Sequence, residues 1–183
     1  MRPDKCLVVG MPVAVSRLAK TPAQDYPTRM SSNLPIARFA ICLIEDAQHR
    51  LLFLKRAADR ALGPNLWGFP AGHIEVNESA RDCAYREMAE EIGPTVRVQE
   101  LHTLGPLRDS FYGGVYEIHL YHLRWQSGPI VLNHEHTAYC WADVETYRAL
   151  ELMAGIEEDI ALLDIWPRAA LNLTRLPPHL RVP

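Results

Sequence analysis

No apolar run in this chain approaches the roughly 20 residues that a membrane-spanning helix needs. No block of lysine or arginine occurs either, and the formal net charge is −3. An extended nucleic-acid partner is therefore not expected, because gripping a long phosphate backbone takes a basic stripe. A single nucleotide needs only a few cationic groups and a metal. Cysteine is sparse: Cys6, Cys42, Cys83 and Cys140 lie far apart, with no CxxC pair. That argues against a dense disulfide framework, and the four read as small buried residues in a reducing, cytoplasmic compartment. One segment pulls the other way, since Arg2 and Lys5 precede an apolar stretch, Cys6 to Val15, of signal-peptide length. Gly10 and Pro12 interrupt it, and no small-residue cleavage site follows.

What is present is an ordinary globular composition, 48% apolar and 22% charged over 183 residues, enough for one domain with a real core. Residues 1–34 carry four prolines and no sustained period, which suggests an N-terminal arm and makes a homodimer plausible. From Ile36 the pattern sharpens. Ile36–Ile44 and Leu51–Leu54 read as strands of a hairpin around the turn-like Glu45–His49. Leu66–Ile74 reads as strand and turn, Thr95–Thr103 and Val115–Trp125 as strands, and Tyr139–Trp141 as a short one. Val144–Met153 and Ile156–Trp166 read as helices separated by Gly155. Residues 167–183 hold four prolines and read as an irregular tail. Strands on both sides of a central helix, with helices at the end, imply a layered α/β domain over 35–166.

The clearest helix is Ser79–Ile92. Ser79 sits where an N-cap belongs, with Asp82 three residues on in the capping-box position, and Gly93-Pro94 ends the helix. At about 100° per residue, Glu87, Glu90 and Glu91 fall within an arc of about 100° that they share with Ala80 and Cys83. Tyr85, Met88 and Ile92 fall on an adjacent arc suited to anchoring in a core. The glutamates repel one another at i,i+3 and i,i+4 spacing, by a few tenths of a kcal/mol for each exposed pair. Arg86 is one cation against three glutamates and Glu78. From the wheel alone a solvated acidic face explains these charges as well as a bound Mg²⁺, an ion that takes oxygen ligands. Gly72 adds weight to the metal, because a residue without a Cβ lets other groups approach its backbone carbonyl.

Gly72, five residues, Glu78, seven residues, then Arg86-Glu87-Met88-Ala89-Glu90-Glu91-Ile92-Gly93 resembles the Nudix box, fixing seven specific residues over 22 positions. Pro94 stands where the family usually has an aliphatic residue, and Ala71 where a second glycine is common. The resemblance implies an α/β/α sandwich of Nudix type, with a mixed central sheet and the box forming a loop–helix–loop. It also implies that Glu87, Glu90, Glu91 and the Gly72 carbonyl bind Mg²⁺ or Mn²⁺, and that Glu78 and Arg86 form a bracing ion pair. The metal would hold the diphosphate and lower the pKa of an attacking water.

Outside the box, Arg56 resembles the strand arginine with which MutT-type enzymes contact substrate phosphate, a role that suits its forked donors. Glu135 resembles an extra metal-binding or base-positioning glutamate of those enzymes, with His134 and His136 as alternative bases. Trp67, Phe69, Tyr112 and Trp141 are candidates to stack on a base, though most such aromatics belong to cores. Tyr112 lies near where diadenosine-polyphosphate-type members carry a tyrosine. These features suggest hydrolysis of a nucleoside diphosphate linked to another group, with a (deoxy)nucleoside triphosphate as leading substrate. A dinucleoside polyphosphate or nucleotide sugar is the alternative, and a non-catalytic nucleotide-binding module the competing class.

Overall fold

The computed structural model describes Leu7–Val8 and residues 34–181, so the proline-bearing arm and most of Cys6–Val15 lie outside the described residues. The strands in chain order are β1 (Leu7–Val8), β2 (Ala37–Glu45), β3 (Leu51–Arg56), β4 (Trp67–Gly68), β5 (Ala71–His73), β6 (Arg97–Arg108), β7 (Tyr116–Ser127) and β8 (His136–Ala142). Two α-helices accompany them among the described residues, α1 (Ala80–Ile92) and α2 (Ile156–Leu162). The sheet runs β1-β8-β3-β2-β7-β6. It is mixed, because β2 and β7 are parallel while the other pairs are antiparallel.

The β2–β3 hairpin is joined in register at Glu45↔Leu51 and then opens. The Trp67–His73 segment fills the gap, β4 pairing with β3 and β5 with β2. The splay brings the backbone around Gly72 beneath α1, and Arg56 and His136 meet as partners at the same end of the sheet.

Strand alternation divides the core in two. Ala40, Cys42, Ile44, Leu52, Leu54, Tyr121 and Leu123 face α1, which answers with Cys83, Ala84, Met88 and Ile92. Leu43, Leu51, Phe53 and Leu120 face the opposite way, towards Tyr147, Ile156, Ile160 and Trp166. Cys42, Cys83 and Cys140 are buried and form no disulfide, and the thiols of the first two are pushed up in pKa mainly by burial. No helix among the described residues is long and apolar enough to cross a membrane.

Two expectations need correction. Val144–Met153 is not a helix: it holds a 3-10 turn, Tyr147–Ala149, and is extended beyond it. Trp67 donates its backbone N–H to Glu151 O at 2.8 Å, and Met153 N–H returns to Trp67 O at 2.9 Å. Pairing with β4 therefore overrides the helical spacing of the apolar residues. The second correction concerns the ends of the chain's last segments. α2 stops at Leu162 rather than Trp166, and 167–181 forms three 3-10 turns that bury Leu171, Leu176 and Leu180 in the core beneath β3. The tail completes a layer of the sandwich.

Candidate active site

α1 forms where the spacing predicts. Ser79 Oγ accepts from Asp82 N–H at 3.0 Å, and Gly93, at a φ of 107°, donates its N–H back to Ala89 O. Small Cys83 and Ala84 let the helix lie close on β2 and β5, and Cys83 Sγ reaches the Gly72 and His73 carbonyls at 3.6 and 3.3 Å. A Cβ on Gly72 would stand 1.8 Å from Glu87 Cδ, so no other residue type fits without moving that carboxylate.

Arg86 is the hub of the helix face. It forks onto both Glu78 oxygens at 2.8 and 3.0 Å, donates to Glu87 Oε1 at 2.7 Å and to His73 O at 3.1 Å, and lies 3.5 Å from Glu90 Oε2. The guanidinium beside it, through that hydrogen bond, holds the Glu78 carboxyl down at about 2. Glu91 is 2% exposed, accepts from Ala71 N–H at 3.0 Å and stands 3.8 Å from His136 Nε2. Burial raises its carboxyl well above the usual range; the Ala71 amide pulls it back, Glu87 adds to the rise, and Arg56 opposes it. Burial also raises Glu87, against the pull of Arg86. Burial, then Arg56, lowers the buried imidazole of His136 to about 4, so it stands neutral at pH 7. Its Nδ1 lies 3.2 Å from Asn133 Oδ1.

The outlying residues gather unevenly. Glu135 adds slightly to the electrostatic rise of both Glu87 and Glu91, and Arg60 Nη1 meets its Oε1 at 3.1 Å. Arg56 also acts on Glu91, while its Nε donates to Leu62 O at 2.8 Å. Tyr112 is half-buried on the loop after β6. Trp67 and Phe69, 8% and 5% exposed, sit in the core on the α2 side, where Phe69 packs 4.9 Å from Phe53. That packing is a correction: these rings serve the core and not an open stacking wall. Trp141 is edge-on to Trp125 at 5.5 Å, near the opposite end of β8 from His136. Sequence reasoning missed Arg60, Phe39 and Tyr116, because nothing in their spacing marks them; the sheet and loops bring them to this end.

The donor set fits a hard divalent cation: carboxylate oxygens on one helix face and a carbonyl at a position that tolerates no Cβ. Among the described residues, no three His, Cys, Asp or Glu side chains converge to hold an ion as they stand. Arg86 occupies one oxygen of the Glu87 carboxylate and lies 3.5 Å from one oxygen of Glu90, so it shares the charge of both.

Comparison with known proteins agrees with this geometry. The NUDIX domain model matches residues 35–162. The chain is 36% identical over 59 residues to m7GpppN-mRNA hydrolase NUDT17 of Danio rerio, covering 32% of this chain and 20% of that protein. It is 41% identical over 51 residues to an RNA pyrophosphohydrolase of Saccharophagus degradans, 28% of each chain. The chain thus spans well under half the length of these relatives. A MutT protein from Methanosarcina mazei Go1 shares the fold with a TM-score of 0.55 at 21% identity, over 70% of this chain and 92% of that one. By the match over most of its length, this chain belongs to the Nudix family.

Proposed function

We propose that the protein hydrolyses a diphosphate linkage in a nucleoside diphosphate-X substrate, with a (deoxy)nucleoside triphosphate as leading candidate. The observation that carries this reading is the close approach of Gly72 to Glu87, on a helix face that also holds Glu90 and buried Glu91. Glu87, Glu90, Glu91 and the Gly72 carbonyl would hold Mg²⁺ or Mn²⁺. Such an ion, when bound, neutralises charge on the diphosphate and lowers the pKa of a water.

The chain's own residues supply the rest. Arg86 holds Glu78 and, through His73 O, the strand that carries Gly72. Arg56 offers phosphate a guanidinium at the end of β3. Glu135 has its Oε1 fixed by Arg60, leaving Oε2 to take the proton that water loses as it attacks phosphorus. The names of the relatives, an m7GpppN-mRNA hydrolase and an RNA pyrophosphohydrolase, suit a substrate whose reacting group is a diphosphate linkage of a nucleotide.

A panel of nucleoside triphosphates, dinucleoside polyphosphates and nucleotide sugars, assayed with Mg²⁺ and resolved by product, tests the proposal. Cleavage at a diphosphate linkage, abolished by EDTA and restored by Mg²⁺ or Mn²⁺, is expected. Full turnover in metal-free buffer, or none on any member of the panel, overturns it.

A further inference from the structure

The loop that leads into β8 is stitched to the rest of the site on two sides. On one side it meets the end of α1, where Val131 N–H donates to Ile92 O at 2.9 Å and Asn133 N–H to Glu91 O at 3.3 Å. On the other it meets the turn after β3. There Ala57 N–H donates to Glu135 O at 2.8 Å, and Arg60 Nη1 lies 3.1 Å from Glu135 Oε1. Asn133 stands between the two sides. Its Oδ1 accepts the backbone N–H of Glu135 at 3.0 Å, an Asx turn, and the same oxygen lies 3.2 Å from His136 Nδ1.

The first of these two contacts decides the state of the second. A backbone N–H can only donate, so the atom of the Asn133 amide that faces Glu135 is the oxygen. That oxygen can only accept from an imidazole, so His136 Nδ1 is the nitrogen that carries the proton. The ring is neutral at pH 7, which leaves Nε2 bare. Nε2 stands 3.8 Å from Glu91 Oε1, both side chains being buried. The other oxygen of Glu91 already accepts from Ala71 N–H at 3.0 Å. A bare Nε2 cannot donate to Oε1, so that oxygen keeps its lone pairs. The opposite tautomer would aim an N–H at the same oxygen and compete with a cation for it.

We propose that Asn133 is a positioning residue of the site: its side-chain oxygen fixes the Glu135 backbone and holds His136 in the Nδ1–H tautomer, which leaves Glu91 Oε1 free for a divalent cation. One amide oxygen thereby serves two carboxylates. It acts on Glu135 through the turn of the loop, and on Glu91 through the choice of which ring nitrogen is protonated. Asn133→Asp keeps an oxygen acceptor for both donors, whereas Asn133→Ala keeps none. In the alanine variant the Nδ1 proton loses this acceptor, and the ring switches to Nε2–H and donates to Glu91. The inference rests on the metal-dependent hydrolase reading above and adds to it a residue outside the box.

The test reads the tautomer directly and the kinetics beside it. Proton–nitrogen NMR spectra of the histidine rings are recorded at pH 7 in EDTA, with the His136 signals assigned by their absence from His136→Gln. The wild type and Asn133→Asp should show Nδ1 protonated and Nε2 bare, and Asn133→Ala should show Nε2–H. An Nε2–H ring or an imidazolium in the wild type overturns the proposal, as does Nδ1–H retained in Asn133→Ala. On the nucleotide panel with saturating Mg²⁺, Asn133→Ala should lower kcat by about 10- to 100-fold and leave KM within about threefold, as expected for a residue that orients metal ligands. Asn133→Asp should recover kcat to within about threefold of the wild type, which a merely structural loss would not predict. Thermal melting checks that each variant is folded. Full kcat in Asn133→Ala, or a loss that Asn133→Asp does not recover, overturns the positioning role while leaving the hydrolase reading intact. If Asn133→Ala does not fold, the wild-type tautomer and the kcat of Asn133→Asp decide by the same criteria. If the wild type hydrolyses no nucleotide, the hydrolase reading fails, and the tautomers of the wild type and Asn133→Ala alone support or overturn the role of Asn133.

Discussion

The two faces of the sheet are made by different routes. The α1 face comes from one contiguous stretch: Gly72, Glu78 and the helix together supply the backbone cradle, the bracing pair and the carboxylates. The face beneath α2 is assembled from Tyr147, Leu152, Ile156, Ile160, Trp166, Leu171, Leu176 and Leu180, residues spread over several short turns and a helix of seven residues. The first face holds charge in positions that repel, from exposed Glu90 through half-buried Glu87 to buried Glu91. The second holds apolar bulk, with the buried carboxylates Glu157 and Glu158 on α2. The difference teaches that this domain draws the charge of its α1 face from one contiguous stretch and spreads the apolar burial of the other over segments with little regular structure of their own.

The sharpest way to break that comparison is to remove a charge from the α1 face. Glu91→Gln should lower the rate of diphosphate hydrolysis by about 10³-fold while the protein stays folded. Its melting temperature in EDTA should hold or rise, because one buried charge with a raised carboxyl is gone. A variant that keeps its rate would move the chemistry away from α1. Next in size is Glu135→Gln, expected to reduce kcat and kcat/KM together by about 10²-fold if this carboxylate takes the proton from water. Near-normal kinetics there, with loss confined to His134→Ala or His136→Ala, would transfer the role to an imidazole.

The other face should answer in stability. Leu176 is fully buried, and Leu176→Ala should cost about 2–5 kcal/mol in denaturant unfolding. An unchanged unfolding midpoint would show that the C-terminal turns are ornament after all. The smallest effect expected is an acid one. Glu78 is depressed to about 2 by Arg86, so its contribution is fully present above the unfolded value near 4.5 and is lost as pH falls towards 2. Glu78→Gln should therefore flatten the stability–pH curve in that window and lower stability by a constant amount above pH 5. A curve that keeps its slope would mean the ion pair contributes nothing that acid can remove.

The box was legible because its chemistry is local. A helix places i, i+3 and i+4 side chains on one face wherever it occurs, and Gly72 reaches Glu87 across one short turn and strand. The strands β2, β3, β6 and β7 were legible from their apolar patterns, and the capping of α1 from Ser79 and Asp82. Val144–Met153 misled because apolar residues at helical spacing also fit a turn followed by an extended stretch, and pairing with Trp67 decided between them. Trp67 and Phe69 misled because a ring that stacks on a base and a ring that fills a core look alike along a chain.

The sequence by itself determined the family, the carboxylate helix and the Glu78–Arg86 brace, since each depends on residues within 22 positions whose geometry the backbone imposes. Tertiary structure alone decided the surroundings. The sheet order carries Arg56, Glu135 and His136 to Glu91, and the loop after β6 sets Tyr112 against Tyr116 beside α2. It also folds the C-terminal turns over β3. Such contacts join residues tens of positions apart, and what selects them is the burial of apolar surface and the pairing of backbone groups across the whole domain, which no local spacing records.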